Sequence, residues 1–335
     1  MIAQLPVPGF SRLFRVATAV VGVAAVLPTR TGDLRSHPAA VTGYAEAVAR
    51  GSAQQALDDS VAVPQGRSIL LVHGHRTARA VVLLHGLTDS PRQFAELADS
   101  LYASGDNVFV PRLPHHAERG GDVGRLARIT AEGLRDFADA SADIAAGLGD
   151  SVTVVGLSAG ATIAAWMAQN RREVQRVVLI APAFQVTHVP SLLERALVNL
   201  ASRGPNVTRR SAPDTAQPDL DPGIATKGVA QVFRLGIAVR RKADGQAPAA
   251  SQATLLLNAN DRTIKAGPAL DLAKEWWTNG AAVVVYEFPD SLKLPHNVME
   301  AAHRGGNPLA VFPSLLALTH GAAPPAWAVQ RRSAW

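Results

Sequence analysis

A serine flanked by small residues is the feature of this chain best suited to chemistry. Residues 156–160 spell Gly-Leu-Ser-Ala-Gly and follow a β-branched run at 152–155. The Ala-rich stretch that continues to about residue 170 predicts a helix directly after the turn. Small neighbours allow a strand to turn sharply into a helix, which leaves the serine exposed at the carboxyl end of the strand. The pattern predicts a nucleophilic Ser158, and the alternative is an ordinary Gly-Ser turn.

A serine hydroxyl is a weak nucleophile at neutral pH, so it needs a base, and the base needs an orienting acid. Asp261 directly follows an apolar run at 254–257, and His296 comes after the last apolar run at 283–286. Because parallel strands end at the same edge of a sheet, we expect both side chains close to Ser158. Asp290 also follows a strand and is the alternative acid.

Other histidines have weaker arguments for a role. His188 lies in an irregular loop, where it would contact substrate or simply be a polar surface residue. His303 and His320 lie in or beyond the final helical region, which favours structural roles. The His115–His116 pair lacks the spacing and the additional Cys or His partners that are typical of a metal site. We predict neither a metal nor a cofactor.

Acyl transfer also requires two backbone N–H groups that face the developing oxyanion. Ala159 follows the serine immediately, so its N–H is the first expected donor. The second donor should come from a loop after an earlier strand, where the chain has Leu84-His85-Gly86-Leu87. Gly86 allows a turn that presents the Leu87 N–H, and His85 is expected to organise this loop.

The segments that must position these residues alternate between apolar runs and helical patterns. Strands are predicted at 68–72, 80–84, 107–110, 152–155, 177–180, 254–257 and 283–286, and helices at 41–57, 94–104, 130–148, 159–170 and 268–277. Near-continuous apolar runs are typical of parallel strands that are buried on both faces. The chain is therefore predicted to be an α/β protein with a doubly wound, mostly parallel sheet. The polar stretch after residue 72 predicts a hairpin-like connection between the first two strands.

Between residues 181 and 251 no strand is predicted. Two helical segments, near 191–202 and 224–240, flank a Pro- and Asp-rich loop at 205–222. An insertion between two sheet strands should lie over their carboxyl ends, where ligands bind in open α/β sheets. We expect a helical cap over the site, inserted before the last two core strands, rather than a solvent-exposed insertion without a role. The predicted division is 31–66 for an N-terminal helical extension, 67–181 and 251–320 for the core, 182–250 for the cap and 321–335 for a tail.

The amino-terminal 1–30 segment has a different character. Arg12 and Arg15 precede an apolar run at 16–27, which resembles the hydrophobic region of a secretory signal or a membrane anchor. No clear cleavage site follows, and the alternative is a docked helix of a cytoplasmic protein. Export or membrane association through this segment and a cytoplasmic location are both left open.

Composition limits the classes of partner and chemistry. The 335 residues contain no cysteine, which excludes disulfides and thiol catalysis. The formal net charge of +6 comes from scattered arginines, with no basic run interleaved with aromatic residues. Nucleic-acid binding is therefore not expected.

The motifs together resemble those of the α/β-hydrolase superfamily, and in particular its carboxylesterase, monoacylglycerol lipase and serine-aminopeptidase-like branch. The resemblance is carried by residues 83–91, 111–114, 156–160, 260–261 and 294–296. It implies Ser158 as nucleophile, His296 as base and Asp261 as acid, with Leu87 and Ala159 forming the oxyanion hole.

Two departures from the family pattern stand out. Residues 115–117 are His-His-Ala where relatives commonly have Gly-His-Gly, so this loop is expected to differ in shape. Asn258 and Asn260 stand where many relatives have glycine, and asparagine tolerates the left-handed backbone.

The expected function is a serine hydrolase that cleaves carboxylic esters through an acyl-enzyme, with a small-molecule ester or lipid-like substrate. A peptidase or amidase, an acyltransferase and a non-catalytic binding protein remain alternatives. Basic residues outnumber acidic ones in the cap segment, which argues weakly against an aminopeptidase. The oligomeric state is not predicted.

Overall fold

Eight strands form the main sheet of the part of the chain that the structure describes. The structure is a computed structural model that describes Gly22 and residues 27–210, 223–299, 306–325 and 329–330. The strands are β1 (Ile69–Leu71), β2 (Thr77–Leu84), β3 (Asn107–Val110), β4 (Gly149–Leu157), β5 (Val174–Ile180), β8 (Gln252–Asn258), β9 (Ala282–Phe288) and β10 (Val329–Gln330). Their order is β1-β3-β2-β4-β5-β8-β9-β10, and only the two edge strands are antiparallel to their neighbours. The predicted mostly parallel sheet is confirmed.

Both faces of the sheet are covered, and the alternation of side chains along β2 shows how. Val82 and Leu84 belong to one buried cluster, and Val81 and Leu83 belong to the other. Successive side chains of a strand point to opposite faces, so a continuous apolar run supplies both cores at once. The sheet is therefore doubly wound, as predicted.

Helices surround the sheet, some directly against its strands and others, such as the two in the segment between β5 and β8, mainly against other helices. They are α1 (Tyr44–Val61), α2 (Ala95–Ala103), α3 (Ala131–Leu148), α4 (Ala159–Asn170), α5 (Glu194–Arg203), α6 (Thr226–Ala243), α7 (Gly267–Thr278) and α8 (Pro308–Thr319). Leu97 of α2 and Leu315 of α8 belong to the cluster on one face, whereas Trp166 of α4 and Trp276 of α7 belong to the cluster on the other.

The hairpin-like connection predicted between the first two strands is wrong. β1 pairs with β3, and β3 lies between β1 and β2. The connecting residues pass the start of β3, where the side chain of Asn107 accepts from the N–H of His73 (2.8 Å) and donates to the carbonyl of His75 (2.9 Å). Asn107 thus satisfies backbone groups that a hairpin would have paired within itself.

In its described part, the segment between β5 and β8 contributes no strand to the main sheet, but the prediction that it contains no strand at all is wrong. β6 (Thr208–Arg210) and β7 (Gly223–Ala225) form a short antiparallel pair. Helix α6 packs against α4 of the core and against α5 of the same segment. Val186 also forms an isolated antiparallel bridge with Ile264, which joins the segment to the loop that follows β8.

Residues 27–43, which precede α1, run along the helices. The indole N–H of Trp166 donates to the carbonyl of Leu34 (3.2 Å), and Arg241 of α6 donates to the carbonyl of Thr29 (2.9 Å). These bonds tie α6 and α4 to one stretch of backbone. The predicted signal or anchor at 16–27 lies almost entirely outside the described residues. Among the helices that are described, none combines the length and apolar character needed to cross a bilayer.

Residues 321–325 and 329–330 of the predicted carboxyl-terminal tail are described. β10 pairs antiparallel with β9, with Val329 opposite Glu287 and Gln330 opposite Tyr286. This strand has only two residues, which is too short for a recognisable pattern of apolar and polar residues in the sequence.

Candidate active site

Ser158 lies at a sharp turn between β4 and α4. Its φ of 56° and ψ of −114° are unusual for a residue with a side chain. A Cβ on Gly160 would lie 2.0 Å from the carbonyl oxygen of Leu84, and one on Gly156 would lie 2.4 Å from the carbonyl oxygen of Gly160. Both positions therefore require glycine, and the turn is as tight as the sequence pattern predicted. Strained backbone of this kind persists only where the surrounding structure holds it.

Ser158, His296 and Asp261 are brought together at the carboxyl edge of the sheet. The Oγ of Ser158 lies 2.9 Å from Nε2 of His296, and Nδ1 of His296 lies 2.7 Å from Oδ2 of Asp261. The His296 side chain is 18% exposed and the Asp261 side chain is 7% exposed. Both ring nitrogens therefore have defined partners: the buried carboxylate accepts from Nδ1–H, which leaves Nε2 to accept from the serine hydroxyl.

The carboxylate of Asp261 is held on its other oxygen by two backbone donors. Oδ1 accepts from the N–H of Thr263 (2.8 Å) and from that of Ile264 (3.1 Å). Burial by itself would raise the pKa of Asp261, but the hydrogen bond and charge of His296 and the two N–H groups outweigh it, so that the pKa lies below its ordinary value. The alternative acid, Asp290, forms an ion pair with Lys293 instead.

Asn258 and Asn260 join the acid loop to the histidine loop through their side chains. Asn258 donates to the carbonyls of Leu294 (3.0 Å) and Pro295 (2.9 Å), and Asn260 donates to the carbonyl of Leu294 (3.0 Å). Neither asparagine has a positive φ. Tolerance of the left-handed backbone is therefore not the reason that asparagine occupies these positions. The sequence pattern does not predict this linking role, and its only signal is the presence of two amide side chains within three residues of Asp261.

Two buried histidines hold the loop that carries Leu87. Nδ1 of His85 lies 2.9 Å from the carbonyl oxygen of Gly86, while Nε2 accepts from the N–H of Leu113 (3.1 Å). The proton of His85 is therefore on Nδ1, where it fixes the peptide whose N–H belongs to Leu87. Nε2 of His116 lies 2.7 Å from the carbonyl oxygen of Leu87. Leu87 and Ala159 thus stay the predicted oxyanion donors, and His85 organises the loop.

Both of these histidines are held in the neutral form. Burial, followed by the neighbouring His116, keeps the pKa of His85 well below its ordinary value. Burial also lowers the pKa of His116 to about 4, although backbone hydrogen bonds oppose the shift. Nδ1 of His116 lies 2.9 Å from the carbonyl oxygen of Pro114. A neutral ring has one N–H, so at neutral pH it donates to one of its two carbonyl neighbours.

The unusual residues around His116 keep a glycine-like backbone. His115 has a φ of 65° and Ala117 a φ of 50°, both in the left-handed region that favours glycine. These are the two positions at which relatives commonly carry glycine. The chain therefore adopts this backbone with side chains in place, at a cost in conformational energy.

The other candidate residues from the sequence do not join this site where the structure describes them. His188 is exposed, and His320 pairs with Asp106 at 2.7 Å. His303 lies outside the described residues. The His115 ring is 3.5 Å from the carboxylate of Glu118. Within the described ranges, no group of three or more His, Asp or Glu side chains is arranged to hold a metal ion.

An apolar cavity of about 160 Å³ lies between α5, α6 and the segment 185–189. Its apolar walls include Val186, Val189, Leu197, Val198, Ala201 and Phe233. The cavity wall begins close to the nucleophile along the chain. The N–H of Ala183 donates to the carbonyl of Ser158 (3.1 Å), and Gln185, two residues later, lines the cavity. Other leucines of the insertion point elsewhere: Leu192 is 89% exposed, and Leu235 is buried in the core.

Known proteins share this fold. Among solved structures, one from work on the metagenome-derived lipolytic enzymes LipS and LipT aligns with a TM-score of 0.56 and 16% identity over 77% of this chain and 99% of that chain. The monoacylglycerol lipase of Paleococcus ferrophilus aligns with a TM-score of 0.51 and 16% identity over 75% and 97%. DcsB in complex with a substrate analogue aligns with a TM-score of 0.54 and 12% identity over 78% and 97%. At these identities the similarity shows the α/β-hydrolase fold.

Sequence comparison identifies the family. No curated protein sequence matches the chain at a significant level. The family model of the serine aminopeptidases S33 matches residues 75–287, a span that includes Ser158 and Asp261 and ends before His296. This span is more than half of the chain and coincides with the sheet from β2 to β9. The chain therefore belongs to the serine aminopeptidase S33 family of α/β-hydrolases.

Proposed function

We propose that this hydrolase cleaves carboxylic esters through an acyl-enzyme, with Ser158 as nucleophile, His296 as base and Asp261 as orienting acid. The observation that carries the proposal is the continuous relay in which Nε2 of His296 lies 2.9 Å from the Ser158 Oγ and Nδ1 lies 2.7 Å from Asp261. Both distances lie within the reach that a general base and its orienting partner need.

In the first half-reaction, the Oγ of Ser158 attacks the ester carbonyl carbon while Nε2 of His296 takes the hydroxyl proton. The resulting imidazolium is stabilised by the ionised Asp261 on Nδ1. The tetrahedral intermediate collapses, the bond to the alcohol oxygen breaks, and His296 returns its proton to that oxygen. In the second half-reaction, a water molecule that His296 deprotonates attacks the acyl-enzyme. The carboxylic acid leaves and Ser158 recovers its proton.

The negative charge of each intermediate would be stabilised by the N–H groups of Leu87 and Ala159. Ala159 is the first residue of α4, so its N–H has no partner within the helix and the helix dipole adds to its effect. The Leu87 N–H belongs to the peptide that His85 holds through the Gly86 carbonyl. Donors that are fixed before the reaction stabilise an oxyanion without the cost of reorganising.

The apolar cavity supports an ester with an apolar acyl or alcohol portion. A cavity of comparable size, about 150 Å³ and lined by apolar side chains, is sufficient to bind benzene, so the ≈ 160 Å³ here would hold about six carbon atoms. We propose that residues 182–250 act as a cap and that this cavity accommodates the apolar group. The bridge between Val186 and Ile264 supports the proposal because it joins the cavity wall to the acid loop.

Amide cleavage is the second candidate, favoured by the match to the serine aminopeptidase model. An aminopeptidase recognises a substrate ammonium group, for which a carboxylate near the cavity is the expected partner. Glu194 lines the cavity, but it is paired with Arg240. Because Arg240 neutralises this carboxylate, we propose an ester rather than an aminopeptidase substrate.

The test is labelling with a fluorophosphonate probe together with hydrolysis of p-nitrophenyl esters and of aminoacyl p-nitroanilides. We expect wild type to label and to hydrolyse the ester, and Ser158→Ala to do neither. Ser151→Ala is the matched control, because this serine lies at the opposite end of β4 and donates to the carbonyl of Ala78. Labelling of Ser158→Ala would refute the nucleophile, and faster turnover of the anilide would favour the peptidase.

A further inference from the structure

The side chain of Gln93 connects two loops that come from distant parts of the chain. Its Oε1 accepts from the N–H of Gly86 (2.9 Å), one residue before the expected oxyanion donor. Its Nε2 donates to Oδ1 of Asn297 (3.0 Å), one residue after His296, and to Oδ2 of Asp89 (2.9 Å). The acceptor and both donors of this amide are therefore in use.

Asn297 forms hydrogen bonds within its own loop and with residues that follow β2. Its Oδ1 also accepts from the N–H of Met299 (3.2 Å), and its Nδ2 lies 3.4 Å from Oδ2 of Asp89. The Asp89 carboxylate accepts in addition from the N–H of Ser90 (2.8 Å). Gln93, Asn297 and Asp89 thus form a ring of side-chain hydrogen bonds with one another.

The orientation of the Gln93 amide follows from its partners. The N–H of Gly86 can only donate, so it requires the amide oxygen. The Asp89 carboxylate can only accept when it is ionised, so it requires the amide nitrogen. Turning the amide over would place its nitrogen against the Gly86 N–H, a second donor, and its oxygen against the acceptors Asp89 Oδ2 and Asn297 Oδ1. The link is consequently specific to one geometry.

The sheet alone provides no such link between these loops. The loop of Gly86 follows β2 and the loop of His296 follows β9, and β4, β5 and β8 lie between those two strands. Gln93 and Asn297 are separated by 204 residues in the chain. Their contact is therefore a direct connection between the two sides of the serine.

We propose that Gln93 and Asn297 are positioning residues that fix the oxyanion loop relative to the loop of the catalytic base. The inference rests on the proposed function. Leu87 N–H and His296 Nε2 must act on the same substrate at the same moment, and a displacement of about 1 Å is enough to cost about 100-fold in rate. A hydrogen-bonded amide between their loops limits such displacement, and it acts on the chemical step rather than on substrate binding.

The experiment is a double-mutant cycle on ester hydrolysis with Gln93→Leu, Asn297→Leu and the double variant. We expect each single change to lower kcat by about tenfold and to leave KM within twofold, because the oxyanion donors are displaced and not removed. The double variant should lose little more than either single variant, because one broken link cannot be broken twice. Thermal unfolding is measured on every variant.

Gln175→Leu is the matched control. Its Oε1 also accepts a backbone N–H, that of Val152 (2.6 Å), but at the opposite edge of the sheet. It should lose comparable stability and keep the wild-type kcat. If Gln93→Leu does not fold, Gln93→Glu keeps the volume and the bond from Gly86 while it replaces the donors by a carboxylate facing Asp89. The same loss of kcat is expected of it.

A wild type that labels and turns over ester, combined with an unchanged kcat in the Gln93 variants, would refute the link and leave the proposed function intact. If the kcat losses of the two single variants multiplied in the double variant, Gln93 and Asn297 would act independently. That result would also refute the link. A wild type that neither labels with fluorophosphonate nor hydrolyses ester would refute the proposed function, and the link with it.

Discussion

The Oγ of Ser158 lies 2.9 Å from Nε2 of His296, although 138 residues separate the two in the chain. Nothing local to either residue produces this distance. It results from β4 and β9 ending at the same edge of one sheet and from the acid loop being tied to the histidine loop by Asn258. The roles of the residues around this pair can be measured by substitution.

Asp261→Asn is expected to lower kcat by about 10³–10⁴-fold with little change in the fold, because an amide in this place favours the wrong tautomer of His296. Steady-state kinetics with a p-nitrophenyl ester check the loss. Asp290→Asn is the control, since Asp290 pairs with Lys293 and should be dispensable. Equal losses in the two variants would contradict the assignment of the acid.

Ala201→Phe should shift the preference towards short acyl chains, because the new ring would occupy the cavity that Ala201 lines. We expect kcat/KM for a six- to eight-carbon ester to fall at least tenfold and that for acetate to change less than threefold. A series of p-nitrophenyl esters measures this. Leu192→Phe changes an exposed residue of the same segment and should leave the series unaltered. A uniform loss over all chain lengths would mean that the cavity does not receive the acyl group.

His115→Gly should stabilise the protein by about 1 kcal/mol, because glycine relieves the left-handed strain of a side-chain-bearing residue. The φ of 65° at His115 is the basis of the prediction. Urea unfolding of wild type and variant provides the measurement. His188→Gly is a matched control at an exposed histidine that lacks a positive φ, and no stabilisation is expected there. A loss of stability at position 115 would show that its contact with Glu118 outweighs the strain.

Stability should fall as the pH decreases from about 6.5 to about 4. The pKa of His116 is lowered from 6.5 to about 4 in the folded state, so the unfolded chain binds a proton in this range that the folded chain does not. The stabilisation is therefore present above 6.5 and is lost towards 4, by about 3 kcal/mol for this one group. His85 contributes with the same sign.

His116→Asn isolates the effect, because asparagine offers a donor but does not titrate. The free energy of unfolding, measured by urea titration at several pH values, should depend less steeply on pH in this variant than in wild type. If the free energy of unfolding of the variant depended on pH as steeply as that of wild type, His116 would not be the source of the dependence.

The class of fold and the candidate nucleophile follow from the sequence by itself, because both depend on neighbours in the chain. Continuous apolar runs such as 177–180 that alternate with helical patterns are typical of parallel strands covered on both faces. The glycines on either side of Ser158 permit a turn that larger residues would block. These constraints act within a few residues, so the pattern along the chain is sufficient to recognise them.

The tertiary structure decided what depends on distant partners. β1 pairs with β3 rather than β2, and Asn107 forms hydrogen bonds with the backbone of the connection between β1 and β2. Asn258 is bound to the carbonyls of residues 294 and 295, and Gln93 is bound to Asn297. An amide side chain can form a hydrogen bond with any suitably placed polar group, so its residue type alone does not specify its partner. Only the topology of the sheet, which brings the loops after β2, β8 and β9 to one edge, selects that partner.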